Sequence, residues 1–317
     1  MILITGATGF IGKALTEYLC KIQKYNVRIC VRKNPIDFPS DVDVVIVGDL
    51  SKSEFSPNIF SDVTCIIHLA GRAHKVNGND AHALQKFRDV NVRGSLNLAK
   101  KASKHGVKRF IFLSSIGVNG NSSLTPFSEQ DIPAPIQNYA ISKFEAEQGL
   151  KEVSSTTGLE LVIIRPPLVY GPCAPGNFAT LIQWMNRNIP LPLGAIHNKR
   201  SFIAIDNLID LILTCIEHPA AANQVFLVSD GEDLSTTELL SRLTLALGKK
   251  SRLFPINQQF LELSLKLINK YNLAQQLCGS LQVDISKAQN LLNWSPPIDV
   301  DEGLRKTAQF FLESESV

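Results

Sequence analysis

The sequence has few aromatic side chains, little net charge and no long apolar run. Aromatic residues make up 7% of its 317 residues, and 32 basic side chains nearly cancel 29 acidic ones. Lys and Arg are scattered, so nothing predicts the basic face of a nucleic-acid-binding protein. An apolar stretch of about 18 residues is lacking, and so is a signal peptide, which argues against membrane insertion. We therefore expect a cytoplasmic protein.

The six cysteines include no C-x-x-C pair, so the sequence predicts neither a zinc site nor a redox dithiol. Hydrophobic residues make up 44% of the chain, which is enough for an ordinary globular core. We expect the cysteines to be reduced thiols in that core: Cys20, Cys30, Cys65, Cys173, Cys215 and Cys278.

Short β-branched runs alternate with amphipathic segments of helix length through the first two thirds of the chain. Nearly continuous apolar strands separated by helices are typical of a parallel sheet covered on both faces. The pattern predicts an α/β fold with a doubly wound parallel sheet. Strands are expected at 2–5, 27–31, 42–47, 65–69, 109–114 and 161–164, and helices at 11–24, 83–105 and 139–158.

Prolines become frequent after Arg165 and break the chain into loops and short elements. We expect a dinucleotide-binding domain over 1–165 and, over 166–317, mainly a smaller substrate-binding lobe, with some segments returning to the first domain. Further helices are expected at 207–217, 235–247, 257–271 and 285–292, and a strand at 224–228.

The amphipathic segment 258–273 has two interpretations. It resembles a membrane-surface helix, but its polar face carries only Lys266 and Lys270 beside Glu262. We therefore favour simple packing, within or between subunits.

A glycine motif follows the first expected strand and opens the first helix. Glycine lets the backbone approach a pyrophosphate, whose charge meets free amides and the positive end of the helix dipole. The strand-turn-helix context favours a dinucleotide over a tight turn without a ligand. The expected cofactor-binding residues of this loop are Gly6, Thr8, Gly9, Phe10, Ile11 and Gly12.

The second strand ends without the acidic residue that bonds the ribose 2′-hydroxyl of NAD in many such sites. Arg32 and Lys33 stand there instead, which favours NADP(H) and leaves NAD(H) possible, unless the two cations only face solvent. Asp49 and Leu50 follow the third strand. Asp49 is expected either to bond the adenine or to be an ordinary loop carboxylate.

Tyr139 and Lys143 are four residues apart, so they lie about one turn apart on one face of a helix. A nearby ammonium is expected to lower the pKa of the phenol toward the range useful for proton exchange. The strand before Ser114 and Ser115 ends at the sheet edge where doubly wound folds bind ligands. Tyr139, Lys143 and one of these two serines are therefore the candidate catalytic set; the family resemblance described next implies Ser115.

These motifs resemble the extended short-chain dehydrogenase/reductase family, in its nucleotide-sugar epimerase, dehydratase and reductase branch. The resemblance spans nearly the whole chain. It rests on 5–12, on His68-Leu69-Ala70-Gly71, Asn91-Val92-Arg93-Gly94, Ser114-Ser115 and Tyr139-x-x-x-Lys143, and on 165–172 and 200–206.

The resemblance implies a role for each matched position. Tyr139 would exchange a proton with a sugar oxygen that Ser115 also holds, and Lys143 would bond the nicotinamide ribose. Asn177 and Arg200 would face the sugar nucleotide. The remaining cofactor-lining positions would be Leu69, Ala70, Gly71, Asn91 and Pro167. The family also implies a homodimer through helices that include the one bearing Tyr139.

Two positions and one segment depart from the family pattern: Asn119, where a tyrosine is usual, Ser201, where an aspartate is usual, and 282–287, which lacks an arginine that often helps hold the diphosphate. These departures leave the substrate less certain than the chemistry.

Other polar residues have plainer interpretations. His68 is expected to be a buried, hydrogen-bonded histidine rather than a base, and Glu145 and Glu147 to face solvent from the helix of Tyr139. Arg72, His74 and Lys75 form either a phosphate- or substrate-binding loop or a flexible basic loop.

The favoured function is reduction, with NADPH, of a UDP-linked 4-keto-6-deoxy-N-acetylhexosamine at C4 for a surface polysaccharide. The first alternative is a UDP-glucose or UDP-N-acetylglucosamine 4-epimerase that holds NAD tightly. The second is a non-catalytic NADP-binding sensor or scaffold.

Overall fold

The computed structural model describes residues 1–33, 38–73 and 82–315. Its larger sheet has seven strands, all paired in parallel, and its smaller sheet has three. The larger sheet contains β1 (Ile2–Thr5), β2 (Val27–Val31), β3 (Asp43–Ile46), β4 (Cys65–His68), β5 (Arg109–Leu113), β6 (Glu160–Arg165) and β9 (Gln224–Leu227). The smaller sheet contains β7 (Leu168–Tyr170), β8 (Arg200–Ala204) and β10 (Asp233–Leu234).

The larger sheet has the order β3-β2-β1-β4-β5-β6-β9, and the smaller one β10-β8-β7. The predicted doubly wound α/β fold is therefore confirmed. β9 is the strand expected at 224–228, and it pairs with β6 at the edge of the larger sheet. The division of the chain at residue 165 stays a prediction.

Helices cover both faces of the larger sheet. One face packs against α1 (Phe10–Ile22), α6 (Ile205–Glu217) and α10 (Ser286–Leu292). The other face packs against α3 (Ser95–Lys104) and α4 (Asn138–Thr157). Strand side chains alternate between these two cores. Ile2 and Ile4 point to the first core and Leu3 to the second, because successive side chains of a strand leave it on opposite faces.

A third core lies beneath the smaller sheet and is centred on Tyr170, Phe178 and Phe202. The helices there include α5 (Asn177–Asn186), α7 (Thr236–Ala246) and α11 (Val300–Glu315). Proline content obscured α5 in the sequence, and α11 was not expected either. Each carries apolar residues on the face that packs, and α7 begins with a capping box between Ser235 and Glu238.

The helix expected at 257–271 is two helices, α8 (Gln258–Leu267) and α9 (Tyr271–Cys278). The break falls at Asn269, whose φ of 56° lies in the left-handed region. One expectation about burial is wrong, since Cys173 is exposed rather than part of the core. α8 packs only in part: Leu261 lies against the third core, and no residue of the helix is fully buried. The expected packing of this segment, within or between subunits, stays a prediction.

No helix within the described residues is long and apolar enough to cross a membrane.

Candidate active site

The predicted cofactor loop and the predicted residues that follow β4, β5 and β6 lie at the carboxyl edge of the larger sheet. The strand order reverses beside β1, with β2 and β3 on one side and β4, β5 and β6 on the other. Ligands of doubly wound folds bind in the crevice at such a reversal. The glycine loop follows β1, Ala70 follows β4, Ser115 follows β5 and Pro167 follows β6. Sequence segments that lie far apart in the chain therefore line one crevice.

The glycine loop leaves no room for side chains at two positions. A Cβ on Gly6, whose φ is +75°, would lie 2.6 Å from the Ala70 nitrogen, and one on Gly12 would lie 2.1 Å from the Gly6 oxygen. α1 begins at Phe10 without a side-chain cap or an acidic residue in its first turn. Its first amides are therefore left to a ligand, and a pyrophosphate fits this cradle.

The ends of β2 and β3 present charge to solvent. Arg32 and Lys33 are exposed, and so is Asp49. The Asp49 carboxylate accepts hydrogen bonds from the Ser51 amide at 3.0 Å and from the Ser51 hydroxyl at 2.8 Å. These bonds, with a smaller contribution from the charge of Arg32, lower the pKa of Asp49. The carboxylate thus already has local partners and offsets part of the neighbouring positive charge.

His68 is a buried structural histidine, as the sequence suggested. Its Nδ1 lies 2.6 Å from the Thr5 hydroxyl and its Nε2 lies 2.8 Å from the Ser95 hydroxyl. Burial lowers the pKa of His68 to about 3, with a smaller contribution from the charge of Lys143. The ring is therefore neutral, and it ties β1 and β4 to α3 beneath the crevice.

Asn91 connects the loop after β4 to α4. It lies in a π-helical turn, Asp89–Gly94, of the kind often found at functional sites. Its side chain accepts the Arg72 amide at 2.8 Å and donates to the Arg72 carbonyl and to the Ser142 hydroxyl. A Cβ on Gly71 would lie 3.3 Å from both Asn91 and Lys143. Three of the predicted cofactor-lining residues are thus in contact.

Within the basic loop after β4, Arg72 is exposed. His74 and Lys75 lie outside the described residues.

Lys143 is buried beneath the crevice. Its Nζ donates a hydrogen bond of 2.8 Å to the Leu113 carbonyl and lies 4.4 Å from the centre of the Phe112 ring. Burial lowers the pKa of Lys143 to about 8, although the Glu147 carboxylate opposes this change. At neutral pH the ammonium remains mostly charged, in surroundings where that charge acts strongly.

Tyr139 lies one turn before Lys143 on α4, and its ring meets the edge of the Phe87 ring. Burial raises the pKa of Tyr139 to about 12, so the expectation of a lowered pKa is wrong for the protein alone. The physical reason is desolvation of the phenolate, and the Lys143 Nζ is bonded to the Leu113 carbonyl rather than to the phenol. Within the described part of the chain the phenol oxygen has no hydrogen-bond partner, so it is open to a ligand.

Ser115 is next to the start of α4. Its Oγ accepts the Gly117 amide at 3.1 Å, which leaves the hydroxyl proton available for another acceptor. A Cβ on Gly117 would lie 3.3 Å from the Ala140 side chain and 3.4 Å from the Ser115 Oγ. An alanine here would require the Ala140 side chain to move by a few tenths of an ångström, so the glycine eases the close approach of the strand end to the helix turn that carries Tyr139.

A buried ion pair supports this region from below. Arg165 donates to both oxygens of Glu147, at 3.0 Å and 2.5 Å, and the Ser114 hydroxyl donates to the same carboxylate at 2.5 Å. The side chains of Arg165 and Glu147 are 3% and 0% exposed. The expectation that Glu147 faces solvent is therefore wrong, because burial here is offset by a full set of hydrogen bonds.

Asn119, which replaces the usual tyrosine, belongs to the same group. Its side chain accepts from Arg165 at 2.9 Å and donates to the Ser128 carbonyl at 3.0 Å. Glu145, in contrast, forms a partly exposed ion pair with Arg88.

The two predicted substrate residues lie in the smaller lobe. Arg200 donates from Nη1 to the Gly279 carbonyl at 2.9 Å, and burial lowers its pKa. Asn177 is exposed and donates to the Gln276 side chain at 3.0 Å. These contacts hold both residues against the end of α9, and no contact between them and Tyr139 is recorded within the described residues.

The other two departures from the family pattern are linked. Ser201 and Gln282 both donate hydrogen bonds to the carboxylate of Asp233, and the Val283 amide donates to the Ser201 hydroxyl at 2.9 Å. The departures therefore stabilise one another beside Arg200.

The sequence interpretation missed the Ser114, Glu147 and Arg165 group. A signal was present, because Glu147 stands four residues after Lys143 and eight after Tyr139, on the same helix face. A carboxylate on a face that is otherwise buried needs a cationic partner, and Arg165 at the end of a buried strand was available.

Comparison with known proteins agrees with this geometry. Residues 2–229 match the NAD dependent epimerase/dehydratase family. A UDP-glucose 4-epimerase of Vibrio cholerae is 44% identical over 99% of this chain and 96% of its own. The structure of a Thermotoga maritima UDP-glucose 4-epimerase with UDP-glucose has a TM-score of 0.80, 25% identity and 99% coverage of both chains.

A Bacillus cereus UDP-glucuronic acid 4-epimerase in complex with NAD shares the fold, with a TM-score of 0.80 and 23% identity over 99% of this chain and 97% of that one. The matched family, the full-length relative and the crevice at the sheet reversal agree with one another. The chain therefore belongs to the NAD dependent epimerase/dehydratase family and is an enzyme of the nucleotide-sugar branch of the extended short-chain dehydrogenases/reductases.

Proposed function

We propose that this enzyme interconverts UDP-linked hexoses at C4, with UDP-glucose as the first substrate to test. The observation that carries the proposal is the 44% identity to the Vibrio cholerae UDP-glucose 4-epimerase across 99% of this chain. The crevice adds an open phenol, a buried ammonium and a free serine hydroxyl at one edge. This reading replaces reduction as the favoured function.

We further infer that the cofactor is NAD(H), bound with its pyrophosphate at the glycine loop. The matched family is NAD dependent, and the Bacillus cereus neighbour binds NAD. The preference for NADP(H) drawn from Arg32 and Lys33 has no support from the relatives. The negative charge of the Asp49 carboxylate acts on Arg32, and a carboxylate near this cation weakens the case for a 2′-phosphate there.

In this proposal Tyr139 accepts the proton of the sugar C4 hydroxyl and later returns it. When bound, the nicotinamide would supply the group that takes up the hydrogen and two electrons removed from C4 and later returns them to C4. A pKa of about 12 makes Tyr139 a poor base in the protein alone. For Tyr139 to act as the base, positive charge from Lys143 must lower this pKa more in the bound complex than in the protein alone, where the Lys143 Nζ is bonded to the Leu113 carbonyl.

Ser115 would donate a hydrogen bond from its free hydroxyl to the sugar O4 and so stabilise the negative charge that develops on that oxygen. Arg200 suits the diphosphate, because a guanidinium matches phosphate oxygens in a fork, and Asn177 would contact the sugar nucleotide nearby. Arg200 must exchange its bond to the Gly279 carbonyl for that contact or share it.

Two assays on the purified protein test the proposal. Mass spectrometry of the small molecules released by heating should identify NAD(H). Incubation of the protein with UDP-glucose and no added cofactor should form UDP-galactose, which anion-exchange chromatography detects. Tyr139→Phe should lower turnover on the order of 10²–10⁴-fold while the cofactor content stays unchanged. Tyr18→Phe is the matched control, since Tyr18 is 42% exposed on α1 and should leave turnover unchanged.

Reduction of a 4-keto sugar nucleotide is the second candidate, and the exposed Arg32 and Lys33 at the end of β2 favour it. Loss of NADPH absorbance on addition of the UDP-linked 4-keto-6-deoxy-N-acetylhexosamine, with no formation of UDP-galactose from UDP-glucose, would reverse the ranking. A non-catalytic role would require that Tyr139→Phe leave the cellular phenotype intact while disruption of Gly9 abolishes it.

We also infer a homodimer formed through the helices around Tyr139, with α3 and α4 packed side by side. Light scattering of the purified protein tests this assembly. The cytoplasmic location and the link to surface polysaccharide stay predictions.

A further inference from the structure

The hairpin of α8 and α9, here residues 258–278, presents a stripe of apolar side chains to solvent. Phe260, Leu263 and Leu267 recur at helical spacing on one face of α8 and are 65%, 57% and 75% exposed. Ile268 and Tyr271 continue the stripe across the turn at 63% and 60% exposed. Contiguous apolar surface of this kind is rare on a protein without a partner and marks an interaction site.

The described part of this subunit leaves the stripe uncovered. α8 has no buried residue, and Ala274 and Cys278 of α9 are the buried side chains of the two helices. The Gln258 side chain donates to the Cys278 carbonyl at 3.2 Å and so fastens the two ends of the hairpin together. The hairpin is thus anchored at one end and presents its apolar face to solvent.

The charges around the stripe are mostly positive. Lys266 and Lys270 lie within and just after α8, and Arg252 precedes it. Glu262 is the one acidic residue between 252 and 278, and its carboxylate pairs with Lys266 at 3.8 Å. Long basic side chains beside an apolar helix face place their charges at the level of lipid headgroups.

We propose that the α8–α9 hairpin docks this protein onto an anionic lipid surface. Phe260, Leu263 and Leu267 enter the boundary between headgroups and acyl chains, while Lys266 and Lys270 meet the anionic headgroups. A second copy of the chain fits less well. A two-fold interface brings the same patch of both subunits together, and a patch with more basic than acidic side chains would repel its own copy. The sequence preference for simple packing is therefore replaced.

The docked hairpin would hold the substrate lobe at the lipid surface. Its last turn accepts hydrogen bonds from Thr236 through the Leu277 carbonyl, from Asn177 through Gln276 and from Arg200 through Gly279. The candidate diphosphate residue is thus one contact away from the docked element. Membrane docking goes beyond the proposed epimerase reaction and does not depend on it.

Vesicle flotation with the full-length protein tests docking. Vesicles of equal parts phosphatidylglycerol and phosphatidylcholine should carry the protein upward, and vesicles of phosphatidylcholine alone should carry much less. Combined replacement of Phe260, Leu263 and Leu267 with Ser should lower the partition coefficient by at least about a hundredfold. Combined replacement of Lys266 and Lys270 with Ala should lower it by about fivefold per lysine, only on anionic vesicles.

Leu245→Ser is the matched control, because Leu245 is 75% exposed like Leu267 but lies on α7. It should leave flotation unchanged. Absence of flotation on anionic vesicles would overturn the proposal, and so would equal loss in the Leu245 variant. Light scattering covers the other occupant: a wild-type assembly that the triple Ser variant splits, together with no flotation, would assign the stripe to a second copy. Cofactor content and turnover are read in parallel, so a failed epimerase assay does not affect the result.

Discussion

Replacing Glu147 with Gln leaves the buried Arg165 guanidinium without its counter-charge. The carboxylate accepts three hydrogen bonds, one from Ser114 and two from Arg165, and both ionised side chains are at most 3% exposed. Gln keeps one acceptor oxygen and adds a donor where only donors point. Breaking a buried pair on one side costs about 3–5 kcal/mol, against a total stability of about 5–15 kcal/mol. The midpoint of urea unfolding should therefore lie at a clearly lower urea concentration for the Glu147→Gln protein than for the wild type.

Equilibrium urea unfolding, followed by circular dichroism at one protein concentration, measures this loss. Glu145→Gln is the matched control, because it removes a charge from the same helix and from a bidentate arginine pair. Arg88 and Glu145 are 41% and 31% exposed, so solvent replaces the lost contact. The control should lose far less stability. If both variants lose similar small amounts, the buried pair is not a main support of the strand end that carries Ser114.

Three other substitutions test the crevice. Gly12→Ala should lower both the melting temperature and the cofactor content, because its Cβ would lie 2.1 Å from the Gly6 oxygen. Gly9→Ala should mainly lower the cofactor content, because its nearest contact would be at 3.3 Å. Equal losses of melting temperature in the two variants would contradict this prediction. The pKa of His68 is about 3 in the folded state, which is below its unfolded value. The contribution of His68 to wild-type stability should therefore fall by about 1.4 kcal/mol per pH unit as the pH drops from 6.5 toward 3. Urea titrations at several pH values should show a flatter slope for His68→Gln. The pKa of Lys143 is lowered to about 8, so below pH 8 the charged ammonium destabilises the folded state. Lys143→Met should abolish turnover and yet raise the unfolding free energy at pH 7 by up to about 3 kcal/mol. A variant that is less stable than the wild type would contradict this prediction.

The sequence predicted the larger sheet because its strands have a local signature. Apolar runs such as 2–5 and 109–114 bury both faces, so nearly every residue in them is apolar and few other structures suit them. β7 and β8 lacked that signature, since one is three residues long and follows two prolines and the other begins with Arg200 and Ser201. Their pairing depends on residues more than thirty positions apart, which no local pattern contains.

The structure places several predicted residues side by side: Gly71 lies against Asn91 and Lys143, and Gly6 lies against Ala70. Their roles in binding and catalysis stay predictions, and the electrostatics differ from what the sequence suggested. The pKa of Tyr139 departed from expectation because spacing along a helix gives the distance between two groups but not the amount of water around them.

The path of the chain after β6 has a consequence for how the molecule can be divided. The chain enters the smaller sheet at β7, returns to the larger sheet through α6 and β9, leaves again for β10 and α7, comes back with α10 against β9, and ends as α11 against α7. A fragment stopped at residue 165 would lack the edge strand β9 and two covering helices of the larger sheet, α6 and α10. Because segments of the two halves alternate along the chain, truncation at any single point damages both halves. We expect the two halves to melt in one cooperative transition.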